Sequence, residues 1–194
     1  MKKTILIAIA FLLAVNPALA HLDPAEHGSF AAGFTHPLTG LDHIMAMIAV
    51  GLWAALLGGR ALYVIPAAFV GFMIAGFTIA MIGIPLPYVE PLILASVLVL
   101  GLLVALALPL WLGLGVVIVG FFAVFHGYAH GGEIGGAEFL SYGVGFALAT
   151  ALLHVLGIAI GMVAGRQFSG ERGWYAIRIA GGATAASGLL LMLG

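Results

Sequence analysis

From residue 39 onward the sequence is a succession of long apolar runs, interrupted at short intervals by glycine, proline or arginine. Each run is close to the roughly 20 residues that a helix needs to cross the hydrocarbon core. The pattern predicts six spans: Thr39–Leu57, Ala61–Ile82, Tyr88–Leu108, Leu110–Tyr128, Phe139–Ala164 and Trp174–Leu193. Gly58-Gly59-Arg60, Pro85-Leu86-Pro87 and Pro109 mark the first three joints. The connections are short, so consecutive helices are expected to be antiparallel neighbours. Small residues recur at helical spacing, as Ala67, Gly71 and Ala75 in the second run and Gly157, Gly161 and Gly165 in the fifth. Both stripes read as faces for close helix packing. Six spans are compatible with a three-plus-three inverted repeat, but no internal sequence match supports one.

The first twenty residues have a different pattern. Lys2 and Lys3 precede an apolar stretch, Thr4–Val15, which Asn16-Pro17 breaks before Ala18-Leu19-Ala20. This is the build of a secretory signal with a small-residue cleavage site. The expected organisation is a signal peptide over 1–20 and one six-helix transmembrane domain over 21–194, beginning at His21. Cleavage puts the N-terminus outside, and the arginines then fall on the other side. Arg60 lies in the first inner loop, Arg166 and Arg172 lie in the last, and Arg178 stands just inside the sixth span. The expected outer loops hold no Lys or Arg, as the positive-inside rule requires. Trp53, Trp111 and Trp174 all fall near the inner interface, where belt residues belong. The expected fold is an all-α integral membrane protein, multi-pass in the inner membrane, with both termini periplasmic.

Composition narrows the function. Hydrophobic residues make up 64% of the 194 and charged residues 7%, against about 45–50% and 25% in soluble domains. That excludes a soluble enzyme, a disordered tail and a nucleic-acid binder, which needs many cationic side chains. There is no Walker sequence, so no nucleotide is expected as partner. There is no cysteine, so any metal must be held by His, carboxylate, Met, backbone oxygen or water.

Ionisable residues inside a membrane bundle are costly and therefore informative. They concentrate in His36-Pro37-Leu38-Thr39-Gly40-Leu41-Asp42-His43, entering the first span, and in Phe125-His126-Gly127-Tyr128-Ala129-His130-Gly131-Gly132-Glu133, leaving the fourth. The first span runs inward and the fourth outward, so the two segments can meet at the outer face. His126, His130 and Glu133 are spaced i, i+4, i+7, within about 60° of one helical face. His36 and His43 are seven apart, again on one face. Two imidazoles and a carboxylate suit Ni²⁺, Co²⁺, Zn²⁺ or Cu²⁺. Pro37 disfavours helix at His36, which places His36 just outside the helix and Asp42 and His43 in its first turns. Asp42 is then placed to accept a hydrogen bond from a ligand imidazole. Met47, one turn below His43, could offer a thioether but suits packing better. A lone His-x-x-x-His often only hydrogen-bonds between helices. Two His-rich clusters with Asp and Glu at one membrane face point to a metal.

The two segments resemble the signature motifs of the HupE/UreJ family of nickel permeases, and the signal, length and span count resemble that family too. The resemblance covers the whole chain. It implies secondary uptake of Ni²⁺ for hydrogenase or urease maturation, with Co²⁺ the cargo of some relatives. It also implies that His36, Asp42, His43, His126, His130 and Glu133 are the residues needed for transport. Selectivity between Ni²⁺, Co²⁺ and Zn²⁺ does not follow from the motif.

Other polar residues are accessory candidates. His154 sits about 22 Å down the fifth span at 1.5 Å per residue, as a relay towards the cytoplasm or an interhelical hydrogen bond. Glu90 and Glu138 begin the third and fifth spans, where they could complete a ligand set or merely favour a helix start. Thr39 reads as an N-cap, and Ser96 and Thr150 as side chains bonded to their own backbones. After cleavage, the α-amine and imidazole of His21 would chelate metal, with Asp23, Glu26 and His27 behind. The reading is a permease and not an enzyme, with no prosthetic group, whose partners are a divalent metal ion and the lipid bilayer. A homo-oligomer is left open. Its rivals are an intramembrane zinc hydrolase, which would keep its metal and turn over substrate, and a metal-binding sensor without flux. Protons compete for imidazole, so metal binding is expected to weaken as pH falls through about 6.5.

Overall fold

A computed structural model of the chain describes residues 29–167 and 171–193. The expected signal segment, its cleavage site, His21 and His27 lie outside these residues. Among the described residues all regular structure is helical: α1 (Ser29–Thr35), a 3-10 turn (His36–Leu38), α2 (Leu41–Leu57), α3 (Ala61–Met81), α4 (Val89–Ala105), α5 (Leu112–Gly132), α6 (Phe139–Gln167) and α7 (Glu171–Leu193).

Four helices, α3, α5, α6 and α7, are long and apolar enough to cross a membrane. α1 with its 3-10 turn, taken together with α2, makes a fifth candidate span, bent by 78° at the break. α4 is apolar but only 17 residues long, about 25 Å at 1.5 Å per residue. Large apolar side chains point outward, among them Val144, Leu148, Leu152 and Val155 on α6. The buried polar side chains are His43, Ser96, His126, His130, Thr150 and His154. Apolar outside and polar at the centre is the arrangement that a lipid solvent selects. The chain is a multi-pass helical membrane protein.

Consecutive helices are not the main neighbours, contrary to expectation. α2 packs on α6, α3 on α5, and α4 on α7, whereas α3 and α4 share little contact despite their short joint. Two of these contacts, and a third between α1 and α6, set a glycine of each helix against a carbonyl of the other. A Cβ on Gly51 would strike the carbonyl of His154, and one on Gly157 the carbonyl of Ile48. Gly127 on α5 and Gly76 on α3 stand against the carbonyls of Met73 and Val124 in the same way. Gly33 and Gly145 do so between α1 and α6. Lipid offers helices no hydrophobic drive to associate, so such close approach supplies much of the attraction. The pairing of α2 with α6, α3 with α5 and α4 with α7 is unchanged when α2–α4 and α5–α7 exchange places. The packing therefore has the internal two-fold pattern that the sequence did not display.

Other expectations are corrected. The stripe Ala67, Gly71, Ala75 faces outward, because α3 buries Ile65, Phe69, Met73, Gly76 and Phe77 instead. Gly165 also has no close neighbour. Trp53 is no belt residue: it is fully buried, and its indole N–H donates to the carbonyl of Leu108 at 3.2 Å. Trp111 and Trp174 are exposed, as expected. Helix α5 continues one turn past Tyr128, so His130 lies within it.

The glycine contacts make a prediction. Gly157→Leu should destabilise the bundle by about 1–3 kcal/mol or more through overpacking, whereas Gly71→Leu and Gly165→Leu should be near neutral. Thermal unfolding in detergent, followed by circular dichroism, separates the two outcomes.

Candidate metal centre

The break between α1 and α2 builds one wall of the site. Pro37 lacks an N–H, and Gly40 is extended, with φ −82° and ψ 117°. Thr39 does not cap α2. Its hydroxyl donates to the carbonyl of His36 at 2.7 Å, closing the 3-10 turn. The chain then turns into α2, with Asp42 and His43 in its first turn. As expected, His36 stands just outside that helix.

The two motif segments meet. His36 Nε2 is 2.8 Å from Glu133 Oε2 at the exposed mouth. Below it, His43 projects from α2 between the two α5 imidazoles. Its Nε2 is 2.7 Å from His130 Nε2 and 2.9 Å from His126 Nδ1. A cleft of about 220 Å³ opens above them, lined by His36, Asp42, His43, Glu90, His130 and Glu133 among others. His36 and His130 rings meet edge-on, with centroids 4.7 Å apart. One ligand atom each from His36, His130 and Glu133 lie within 4.8 Å of one another, a spread that an ion could bridge.

Hydrogen-bond accounting tells where the protons are. Ser96 Oγ is 2.6 Å from the carbonyl of Ile93 and 2.8 Å from His126 Nε2. A carbonyl only accepts, so the single hydroxyl proton goes to Ile93. The serine oxygen must then accept from Nε2–H of His126. Neutral His126 is left with a bare lone pair on Nδ1, aimed at His43. Asp42 Oδ1 lies 3.7 Å from His43 Nδ1 and accepts the backbone N–H of His43 at 2.9 Å. The expected hydrogen bond from the imidazole to Asp42 is replaced by a near contact, whose charge favours the proton on Nδ1. That arrangement frees the Nε2 lone pair of His43. Its Nε2 can carry at most one proton and cannot satisfy both neighbours. His130 Nδ1 is buried without a partner. Three imidazoles crowd their acceptor nitrogens together with too few protons to pair them, which is an environment suited to a cation.

The mouth carries the charge. The hydrogen bond from His36 holds the Glu133 carboxyl below its ordinary value, against the smaller opposing effect of burial. Glu133 therefore keeps its charge to lower pH than an unperturbed glutamate. Glu90 is exposed in the first turn of α4 and reaches the cleft rim.

The other accessory candidates stand elsewhere. Glu138 accepts the backbone N–H groups of Leu140 and Ser141 at 3.0 and 2.7 Å, as a helix-start carboxylate, and does not line the cleft. Met47 is fully buried in the apolar core. His154 is fully buried against Phe69, apart from the outer cluster. Two contributors escaped the sequence reading. Ser96 bonds its own backbone as expected but also fixes the His126 tautomer. Phe146 covers the ring of His130, with centroids 4.2 Å apart. Ser96 and His126 are 30 residues apart, and no local spacing announces such a pair.

Ser96→Ala should free the His126 tautomer and lower Ni²⁺ affinity by about tenfold or more, measured by isothermal titration calorimetry on detergent-purified protein. In His36→Ala the Glu133 pKa should rise towards its ordinary value, read by NMR titration of ¹³C-labelled glutamate carboxyls.

The model of the HupE / UreJ protein family matches residues 9–191. Protein HupE of Rhizobium leguminosarum bv. viciae is 43% identical over 180 residues, which is 92% of each chain. No solved structure matches. The family model and the relative each cover most of the chain, so the chain belongs to the HupE/UreJ family.

Proposed function

We propose that the protein is a secondary permease that imports nickel, with cobalt as an alternative cargo, across the inner membrane for hydrogenase or urease maturation. The reading takes α1–α2 as one broken span and α4 as a short one, giving six spans with both termini outside. What carries it is the convergence of His43, His126 and His130 beneath a carboxylate-lined mouth.

In this reading a hydrated dication is drawn to Asp42, Glu90 and Glu133. It exchanges waters for His36 and Glu133, then for the imidazoles of His130, His43 and His126. The carboxylates offset the ion's charge, and the imidazoles favour borderline metals over Mg²⁺ or Ca²⁺. An inside-negative potential assists inward movement of a dication by about 4.6 kcal/mol per 100 mV. Binding must be firm enough to select and weak enough to release. The site supports this by spreading its ligands over several elements, so that a small helix movement opens the set. A resident hydrolytic zinc would need a fixed ligand set with an open water position. Here ligands run inward from an exposed pair to buried imidazoles, which suits passage better.

The test is uptake of ⁶³Ni²⁺ into proteoliposomes, with His43→Ala and His130→Ala beside the wild type and cold Co²⁺ and Zn²⁺ as competitors. Saturable uptake is expected, reduced at least about tenfold in each variant. Vesicles that bind nickel without accumulating it would overturn the permease reading in favour of a sensor or hydrolase.

A further inference from the structure

Beneath the metal centre lies a second polar position that the outer site leaves unused. His154 on α6 is fully buried, and both of its ring nitrogens lack a hydrogen-bond partner among the described residues. Thr150, one turn earlier on the same helix, is also fully buried, and in place of the expected bond to its own backbone its hydroxyl has no partner among the described residues. Buried polar groups in native proteins are nearly always satisfied, so adjacent unmet needs require an explanation. An interhelical hydrogen bond is not that explanation, because the imidazole makes none. A leucine would fill the same space without polar cost.

The position is connected to the outer site by one ring. Phe69 of α3 lies against His126, with centroids 5.7 Å apart, and against His154, with centroids 5.1 Å apart and the rings near perpendicular. The backbone at His154 is also held in place, because Gly51 of α2 abuts its carbonyl. A buried imidazole therefore stands one aromatic ring inward of the innermost ligand of the outer cluster.

We infer that His154, with the hydroxyl of Thr150, is an inner station for the cargo dication, entered from His126 when the Phe69 ring swings aside. This rests on the permease reading and deepens it. Imidazole and hydroxyl are suitable donors for a partly hydrated borderline dication. Among the described residues no carboxylate is buried that could offset the ion's charge. The station holds the ion weakly, and passage inward is favoured over storage.

The chain has no cysteine, which gives a direct test. In His154→Cys, an ion that reaches this position acquires a thiolate ligand. Co²⁺ titration of the purified variant should then produce a sulfur-to-cobalt charge-transfer band in the near ultraviolet that the wild type lacks. In proteoliposomes the trapped ion should slow ⁶³Ni²⁺ uptake at least about tenfold. His154→Ala should slow uptake similarly while leaving Ni²⁺ binding at the outer cluster intact by calorimetry. Absence of the band at saturating Co²⁺ in folded His154→Cys, or wild-type uptake by folded His154→Ala, would overturn the inference. If His154→Ala fails to fold, the cysteine variant decides. The two readings fail separately: a wild type that accumulates no metal defeats the permease, whereas the band reports only whether metal reaches residue 154.

Discussion

The Nε2 atom of His43 has two imidazole nitrogens within hydrogen-bonding distance and at most one proton to share between them. Much of the architecture serves to hold that crowding in place. The break at Pro37–Gly40 sets the entry of α2, so that His43 points into the bundle. The extra turn of α5 carries His130 to the level of His43. Ser96, by spending its proton on its own backbone, dictates which nitrogen of His126 is bare. The glycine contacts bring α3 against α5 and α2 against α6, so the histidines are enclosed. A polar cluster of this kind is expensive in lipid, and the small-residue packing around it supplies the attraction that keeps it assembled.

Much of this was legible before any coordinates. The apolar runs located every long helix, and the two histidine segments were placed at one face by counting crossings. Spacing alone put His126, His130 and Glu133 on one side of a helix. The packing partners were not legible. A periodic stripe such as Ala67, Gly71, Ala75 looks the same whether it meets a neighbouring helix or lipid, because in a membrane both surroundings are apolar. Trp53 was misplaced for a related reason: an indole near a helix end satisfies its N–H equally well at the interface or on a buried carbonyl. The role of Ser96 depends on a partner 30 residues away, and that contact appears only when α4 lies beside α5. Helix α1 was missed because its seven residues are too few to show a period.

The internal two-fold pattern concerns backbone contacts and not side-chain chemistry. His126 and Val50 each precede the glycine of a matching contact, as do His154 and Met73 three residues before theirs. The scaffold is thus nearly even-handed while its ligands are not. Histidines and carboxylates gather towards one end of the bundle, and apolar residues occupy the equivalent positions of the other half. The repeat left no trace in the sequence because its contacts need only glycine and carbonyl groups.

The ends of the helices at the cleft have electrical consequences of their own. Two N-termini, those of α2 and α4, open onto it, together with the C-terminus of α5. Each N-terminus presents unpaired N–H groups equivalent to about half a positive charge, and each C-terminus about half a negative one. Backbone alone would therefore give the mouth a net positive bias, and such helix ends commonly bind phosphate or sulfate. Asp42 and Glu90 sit in the first turns of those two helices, and each full negative charge outweighs the partial positive one beside it. The negative charge of this cleft is thus conferred by two side chains on a backbone that, stripped of them, would favour an anion.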